Sequence, residues 1–226
     1  MDTTERELFA KAVQSGDVGL FRDALPEDPR TAVSVWFEAQ GATNAESDAL
    51  ALLVPMEREV GVGIDPAFGR VTVGSLDAAA LAAGRRAVAH ELVGASRAML
   101  DLARTHALER IQFDVPIASF QAVRHRLADS LVAIEAASAA LDGAWDDGAP
   151  FTAAVAKATA GRSARLVARH AQQVLAGIGF TAEHPFHRYF RRVRVLDDLL
   201  GDTRTLTREI GQSLLQARSL PVGLPL

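Results

Sequence analysis

From about residue 76 onward, apolar positions recur at three- and four-residue steps. Val88, Leu92, Ala95, Met99 and Leu102 form one stripe, the signature of a long amphipathic helix. Ser75 reads as its N-cap, with Asp77 in the first turn. A second stripe joins Ile117, Phe120, Val123, Leu127, Leu131, Ile134, Ala137 and Leu141. Pro116 is read as the first residue of that helix, with Asp114 just ahead of it. Asp146-Asp147-Gly148 breaks the pattern and Pro150 restarts it. The third stripe is alanine-rich: Ala154, Ala158, Val167, Ala171 and Val174. It ends near Gly177 and Gly179, a C-terminal signal. Two shorter helices follow, one from about Pro185 to Gly201 and one from Thr203 to Ala217.

Residues 1–75 read differently. Two short helices are predicted, Glu7 to Val13 and Val18 to Leu25, the second stopped by Pro26 and Pro29. Val60, Val62, Ile64, Val71 and Val73 alternate with glycine and polar residues, and Asp65-Pro66 and Gly69 mark a turn. That pattern predicts a small β-hairpin or meander near 58–74. Three long helices followed by two shorter ones predict a mainly α fold, an antiparallel helical bundle over 76–218. A reduced segment (1–75) precedes it. The tail 219–226, with Pro221 and Pro225, is read as irregular.

Composition narrows the function classes. The 226 residues are 49% hydrophobic with a formal net charge of −4, a globular balance without the basic excess of a nucleic-acid binder. Of 24 basic residues only Lys11 and Lys157 are lysine, and arginine suits bidentate contact to carboxylate or phosphate. The absence of cysteine removes disulfides, thiolate catalysis and thiolate metal sites. The longest apolar run, about Ala49 to Met56, is too short to span a bilayer. The polar N-terminus is unlike a secretory signal. The expectation is a cytoplasmic protein.

Short motifs mostly read as structure. His90-Glu91 begins like a zinc-protease helix, but Gly94 stands where the second histidine belongs, and no paired Glu-x-x-His motif suggests a di-iron bundle. Gly61-Val-Gly63 reads as a turn and Gly177-Ile-Gly179 as a helix end. The run His187 to Arg194 is the densest cationic stretch. Its charges either pair with Glu183, Asp197 and Asp198 or contact phosphate.

Three blocks, taken in order, resemble the acyl-CoA dehydrogenase family. The first runs from Arg110 through Phe113 and Pro116 to Phe120-Gln121. The second is Gln173-Val-Leu-Ala176-Gly177-Ile-Gly179-Phe180-Thr181. The third is Glu183-His-Pro185-Phe-His-Arg188-Tyr-Phe-Arg191-Arg192. Together they cover about 76–217, the family's C-terminal helical bundle. The resemblance implies FAD at a subunit interface, contacted by Arg110, Phe113, Gln121, Gln173 and Gly177 of the neighbouring chain. Ala176 replaces a family glycine. Family members also carry a helical domain and a β-domain ahead of this bundle. Residues 1–75 stand in their place here.

The resemblance also locates the proton-abstracting carboxylate, which the family places at one of two positions. Counting from the blocks puts Leu200 at one and Gly84 at the other, and neither accepts a proton. Asp198 and Asp202 flank Leu200 as substitutes. The amide at 200, which in the family helps to polarise the thioester carbonyl, survives any side-chain change. The implied function is an FAD-associated subunit of a heteromeric acyl-CoA dehydrogenase forming α,β-unsaturated acyl-CoA in lipid or steroid catabolism. A fuller partner chain would supply the base. Two alternatives stand: a non-catalytic scaffold that has lost FAD, and a self-sufficient flavoenzyme using Asp198 or Asp202.

Overall fold

A computed structural model describes residues 3–54, 56–58, 71–73 and 76–218. The bundle is built on three long helices: α4 (Ala78–Glu109), α5 (Gln121–Asp147) and α6 (Pro150–Leu175). Two shorter ones, α7 (Phe186–Asp198) and α8 (Thr203–Ala217), close one side. Ahead of them lie α1 (Thr3–Ser15), α2 (Gly19–Ala24) and α3 (Pro29–Thr43). The fold is mainly α, as the periodicity predicts.

Side-chain contacts fix the helix directions. Trp145 reaches His90 and Arg97 reaches Ser138, so α4 and α5 run antiparallel. Gly148, at φ +68°, turns α5 into α6, and Pro150 sits in the first turn of α6. His170 of α6 meets Ser130 and the Arg126 carbonyl of α5. The main core lies between these helices and includes Leu92, Met99, Ile134, Leu141, Val167 and Leu175. Alanines at 153, 156, 160, 164 and 168 bury one face of α6 and let neighbouring backbones approach closely.

Three expectations are corrected. Asp77, not Ser75, caps α4, its carboxylate accepting from the Ala80 N–H at 2.7 Å. Ser75 lies outside the described residues. Pro116 does not begin α5. It belongs to a hairpin in which β3 (Ile111–Gln112) pairs with β4 (Val115–Pro116), followed by a 3-10 turn, and α5 starts at Gln121. Pro29 does not end a helix but opens α3, with the Asp28 carboxylate accepting from the Thr31 N–H at 3.1 Å. In the predicted β region, β1 (Met56–Arg58) pairs antiparallel with β2 (Val71–Val73). The turn residues Asp65, Pro66 and Gly69, the strand positions Val60, Val62 and Ile64, and Gly61-Val-Gly63 lie outside the described residues.

The N-terminal helices carry their own apolar cluster, with Phe9, Phe21, Trp36 and Phe37 buried together. Burying each such ring contributes about 1.5–3 kcal/mol. The cluster is docked to the bundle through two glycines. A Cβ on Gly94 of α4 would fall onto the Glu38 carbonyl oxygen of α3, and one on Gly41 of α3 would fall onto the Glu91 carbonyl oxygen of α4. The two backbones touch at this crossing. That contact explains Gly94, the residue that interrupts the histidine-glutamate motif.

The other two residues of that motif, His90 and Glu91, are structural as well. Trp145 Nε1 donates to His90 Nε2 at 3.0 Å, and His90 Nδ1 lies 3.0 Å from Glu38 Oε1. An indole nitrogen only donates, so His90 accepts at Nε2 and donates a hydrogen bond from Nδ1 to Glu38. Glu91 is buried and accepts from Arg192 Nε at 2.6 Å and from Gln40 Nε2 at 3.0 Å. Burial pushes the Glu91 carboxyl up, and the Arg192 charge and the two hydrogen bonds oppose that. This pair ties α7 to α4 and, through Gln40, to α3.

Candidate functional site

The first resemblance block forms the α4–α5 connection. Arg110 ends α4 in extended conformation, its N–H bonded to the His106 carbonyl and its own carbonyl accepting from the Ile117 N–H at 2.8 Å. Phe113 and Asp114 form the two-residue tip of the hairpin at φ +53° and +64°. Positive φ at both central residues is the requirement of a type I′ turn. The turn thrusts Phe113 outward, 86% exposed, with its ring edge-on to Phe120 at 6.1 Å. Phe120 is itself exposed, so it is not the core residue its place in the stripe suggests. Leu131, from the same stripe, is likewise exposed.

Gln121 is the first residue of α5 and exposed, and Gln173 is exposed near the end of α6. The pairing of Arg126 and Ser130 with His170 puts the start of α5 level with the end of α6. Gln121 therefore stands at the same end of the bundle as Gln173 and the 3-10 segment Ala176–Phe180. A Cβ on Gly177 would meet nothing within 4 Å. Its face is open. The same end of the bundle carries exposed apolar side chains, Leu108, Ile111, Ile178 and Phe180. The five residues singled out by sequence thus share one exposed end of the molecule, and none is buried within it.

Ala176 is strained. It holds φ +51° and ψ −131°, a region that essentially only glycine occupies without cost. Restoring glycine is expected to stabilise the chain by about 1 kcal/mol, the relief of strain outweighing the added entropy of the unfolded state. A urea melt of Ala176→Gly with an unchanged or lower midpoint would contradict this.

The second centre is the loop between α7 and α8. Leu200 sits at φ +59° and Gly201 at φ +108°. A Cβ on Gly84 of α4 would lie 2.7 Å from the Leu200 Cδ1 and would collide with a methyl of Val54. Positions 84 and 200 therefore face one another, and the space between them is filled by Leu200 and Val54. Neither flanking carboxylate enters it. Asp202 caps α8, accepting from the Arg204 and Thr205 N–H groups at 2.9 and 3.1 Å. Hydrogen bonding from the Thr205 side chain, and then from the Thr205 and Arg204 backbone, holds its carboxyl below the usual range. Asp198 is exposed and lines a separate groove between α6, α7 and α8.

Two cations hold the loop from beneath. Arg85 Nε donates to the Leu200 carbonyl at 3.1 Å. Lys157, fully buried on α6, donates through Nζ to the Asp197 carbonyl at 2.9 Å and the Gly201 carbonyl at 3.1 Å. Burial lowers the Lys157 ammonium from 10.5 to about 8, against the attraction of Asp197, Asp198 and Asp202. The sign follows from linkage. A depressed lysine binds its proton less well folded than unfolded, so its burial penalty is full below about pH 8. The penalty fades as pH rises from about 8 toward 10.5. Unfolding free energy is expected to gain about 3 kcal/mol from this group over that interval. Lys157→Met should lack the gain. Parallel pH profiles of wild type and variant in urea melts would contradict it.

In the basic run the pairing within the helix is not what forms. Arg192 turns inward to Glu91, and Asp197 pairs with Arg165 of α6 at 3.1 Å. Sequence reasoning missed Arg85, Lys157, Glu91 and Val54. Each draws its role from a partner distant in the chain.

The family model of the acyl-CoA dehydrogenase C-terminal domain matches residues 75–215. Acyl-CoA dehydrogenase IpdE2 of Mycobacterium tuberculosis is 37% identical over 123 residues, 54% of this chain and 39% of that protein. The mitochondrial short-chain specific acyl-CoA dehydrogenase of Rattus norvegicus is 30% identical over 173 residues, covering 73% of this chain and 39% of its own length. The chain thus spans about two fifths of the curated relatives it matches. Among solved structures, butyryl-CoA dehydrogenase from Megasphaera elsdenii superposes with a TM-score of 0.58 at 29% identity, over 66% of this chain and 40% of that one. A chain of the Tcur3481-Tcur3483 steroid ACAD matches in fold over 94% of this chain and 89% of that chain, TM-score 0.75, at 21% identity. No helix among the described residues is long and apolar enough to cross a membrane. Fold, ordered motifs and family match agree: the chain belongs to the acyl-CoA dehydrogenase family, through its C-terminal helical domain.

Proposed function

We propose that this chain is the base-less subunit of a heteromeric acyl-CoA dehydrogenase, completing an FAD site on a fuller partner chain. The observation that carries the reading is the meeting of Gly84 and Leu200. The family's two alternative base positions must reach the same substrate carbon, and here they are neighbours filled by the side chains of Leu200 and Val54. General-base assistance is worth about 10²–10⁴ in rate, so proton removal falls to a carboxylate of the partner.

The exposed end of the bundle fits a shared cofactor. FAD, when bound, supplies the acceptor for the hydride leaving the substrate β-carbon. Arg110 would offer fixed donors to its phosphates, Gln121 and Gln173 neutral hydrogen bonds, and Phe113 an apolar face. Gly177 leaves room for close approach, since nothing of this chain fills the space its Cβ would take. These groups are exposed, so the pocket needs a second polypeptide as its other wall. The apolar residues around them, Ile111, Phe113, Ile178 and Phe180, suit such an interface. Acyl-CoA is the expected substrate class. The steroid ACAD whose chain superposes along nearly its whole length suggests a bulky lipid or steroid acyl group.

Size-exclusion chromatography of the chain with an acyl-CoA dehydrogenase encoded beside it tests the proposal. The expected result is co-elution of both chains with flavin. Separate elution would overturn it, and a colourless co-eluting pair would favour a scaffold that has lost FAD.

A further inference from the structure

The groove between α6, α7 and the start of α8 is absorbed by neither the flavin site nor the loop at Leu200. Its volume is about 580 Å³, within the range of small-molecule sites. Arg162, Arg165 and Arg169 line one wall at a helical spacing. Arg194 and Arg204 face them from α7 and α8. Phe190 adds partly exposed apolar surface over a buried floor of Ala168 and Val193. Five guanidinium groups thus converge in a chain whose net charge is −4.

Few of these charges are answered. The carboxylates in the groove are Asp197 and Asp198. One Asp197 oxygen pairs with Arg165, and the other accepts from Thr203. Arg162, Arg169, Arg194 and Arg204 make no ion pair among the described residues. Cations gathered without counter-charge repel one another and gain when a polyanion enters. The guanidinium fork matches phosphate oxygens two at a time. The partly exposed ring of Phe190 suits the flat ring of a base better than a string of carboxylates.

We propose that this groove binds an organic polyphosphate with the chemistry of a nucleoside diphosphate, at a site separate from the shared flavin. The diphosphate is held among Arg162, Arg169, Arg194 and Arg204, with the base against Phe190. An acidic peptide segment is the competing occupant, and it would gain nothing from the apolar side.

Titration calorimetry of the full chain with ADP, inorganic pyrophosphate and a heptaglutamate peptide tests this. ADP is expected to bind, and more tightly than either of the others. Binding should weaken at least about tenfold in Arg169→Gln with Arg194→Gln, and should not change in Arg110→Gln, which belongs to the flavin end. Both arginines are exposed, so the melting temperature of the double variant should match wild type and exclude a folding artefact. Absence of ADP binding, equal binding by wild type and double variant, loss on Arg110→Gln, or preference for the peptide would each overturn the proposal.

Discussion

Arg192→Ala is expected to lower the unfolding free energy by about 3–5 kcal/mol, because it leaves a buried carboxylate without its counter-charge. Arg192 is 1% exposed and Glu91 3%, so water cannot take the missing partner's place. A loss of that size is a large share of a typical domain's about 5–15 kcal/mol. The pair is not a strong net stabiliser, since both charges were desolvated to make it and Arg192 Nη1 has no hydrogen-bond partner. Replacing both residues with apolar ones, Glu91→Leu with Arg192→Met, should therefore recover most of the loss. Urea melts of the single and double variants decide this. A double variant as unstable as the single one would mean that packing of the arginine stem, not its charge, holds α7 against α4.

Gly94→Ala is expected to cost about 3 kcal/mol or more, the upper end of overpacking penalties. The added methyl meets backbone rather than a movable side chain. The Glu38 carbon atoms lie 2.9 Å from the Cβ position, and a Cβ at Gly41 would lie 2.8 Å from the Ala95 nitrogen. Separating α3 from α4 would strain Gln40–Glu91 and His90–Glu38, which cross the same seam. Hydrogen exchange should show α1 to α3 losing protection before the three long helices do. Uniform loss of protection, or a variant as stable as wild type, would refute the crossing as a point of backbone contact.

The long helices were legible because each buries one stripe and repeats it for several turns. Gly148 and Pro150 punctuate α5 and α6 in sequence as they do in space. Pro29 misled for a physical reason: a proline both ends the helix before it and opens the next, and the Asp28 cap that distinguishes the cases lies in the same pair. Pro116 misled likewise, since the turn at Phe113 and Asp114 needs two left-handed residues that neither side chain advertises. Arg110, Phe113, Gln121, Gln173 and Gly177 are singled out through resemblance, not through any periodicity. What no local pattern could reveal is the set of partners far apart in the chain: Glu91 with Arg192, Lys157 with the carbonyls of Asp197 and Gly201, and Leu200 with Gly84. Each depends on which helix faces which.

Under the proposed function, this chain completes a flavin site that it cannot hold alone. The direct measurement is the visible absorbance of the chain purified by itself, of its complex with the partner dehydrogenase, and of the complex carrying Arg110→Ala and Gln173→Ala. Expected are a colourless chain, a yellow complex, and a variant complex that still assembles but loses flavin on gel filtration. A chain that is yellow on its own, or a variant complex that keeps its flavin, would contradict it.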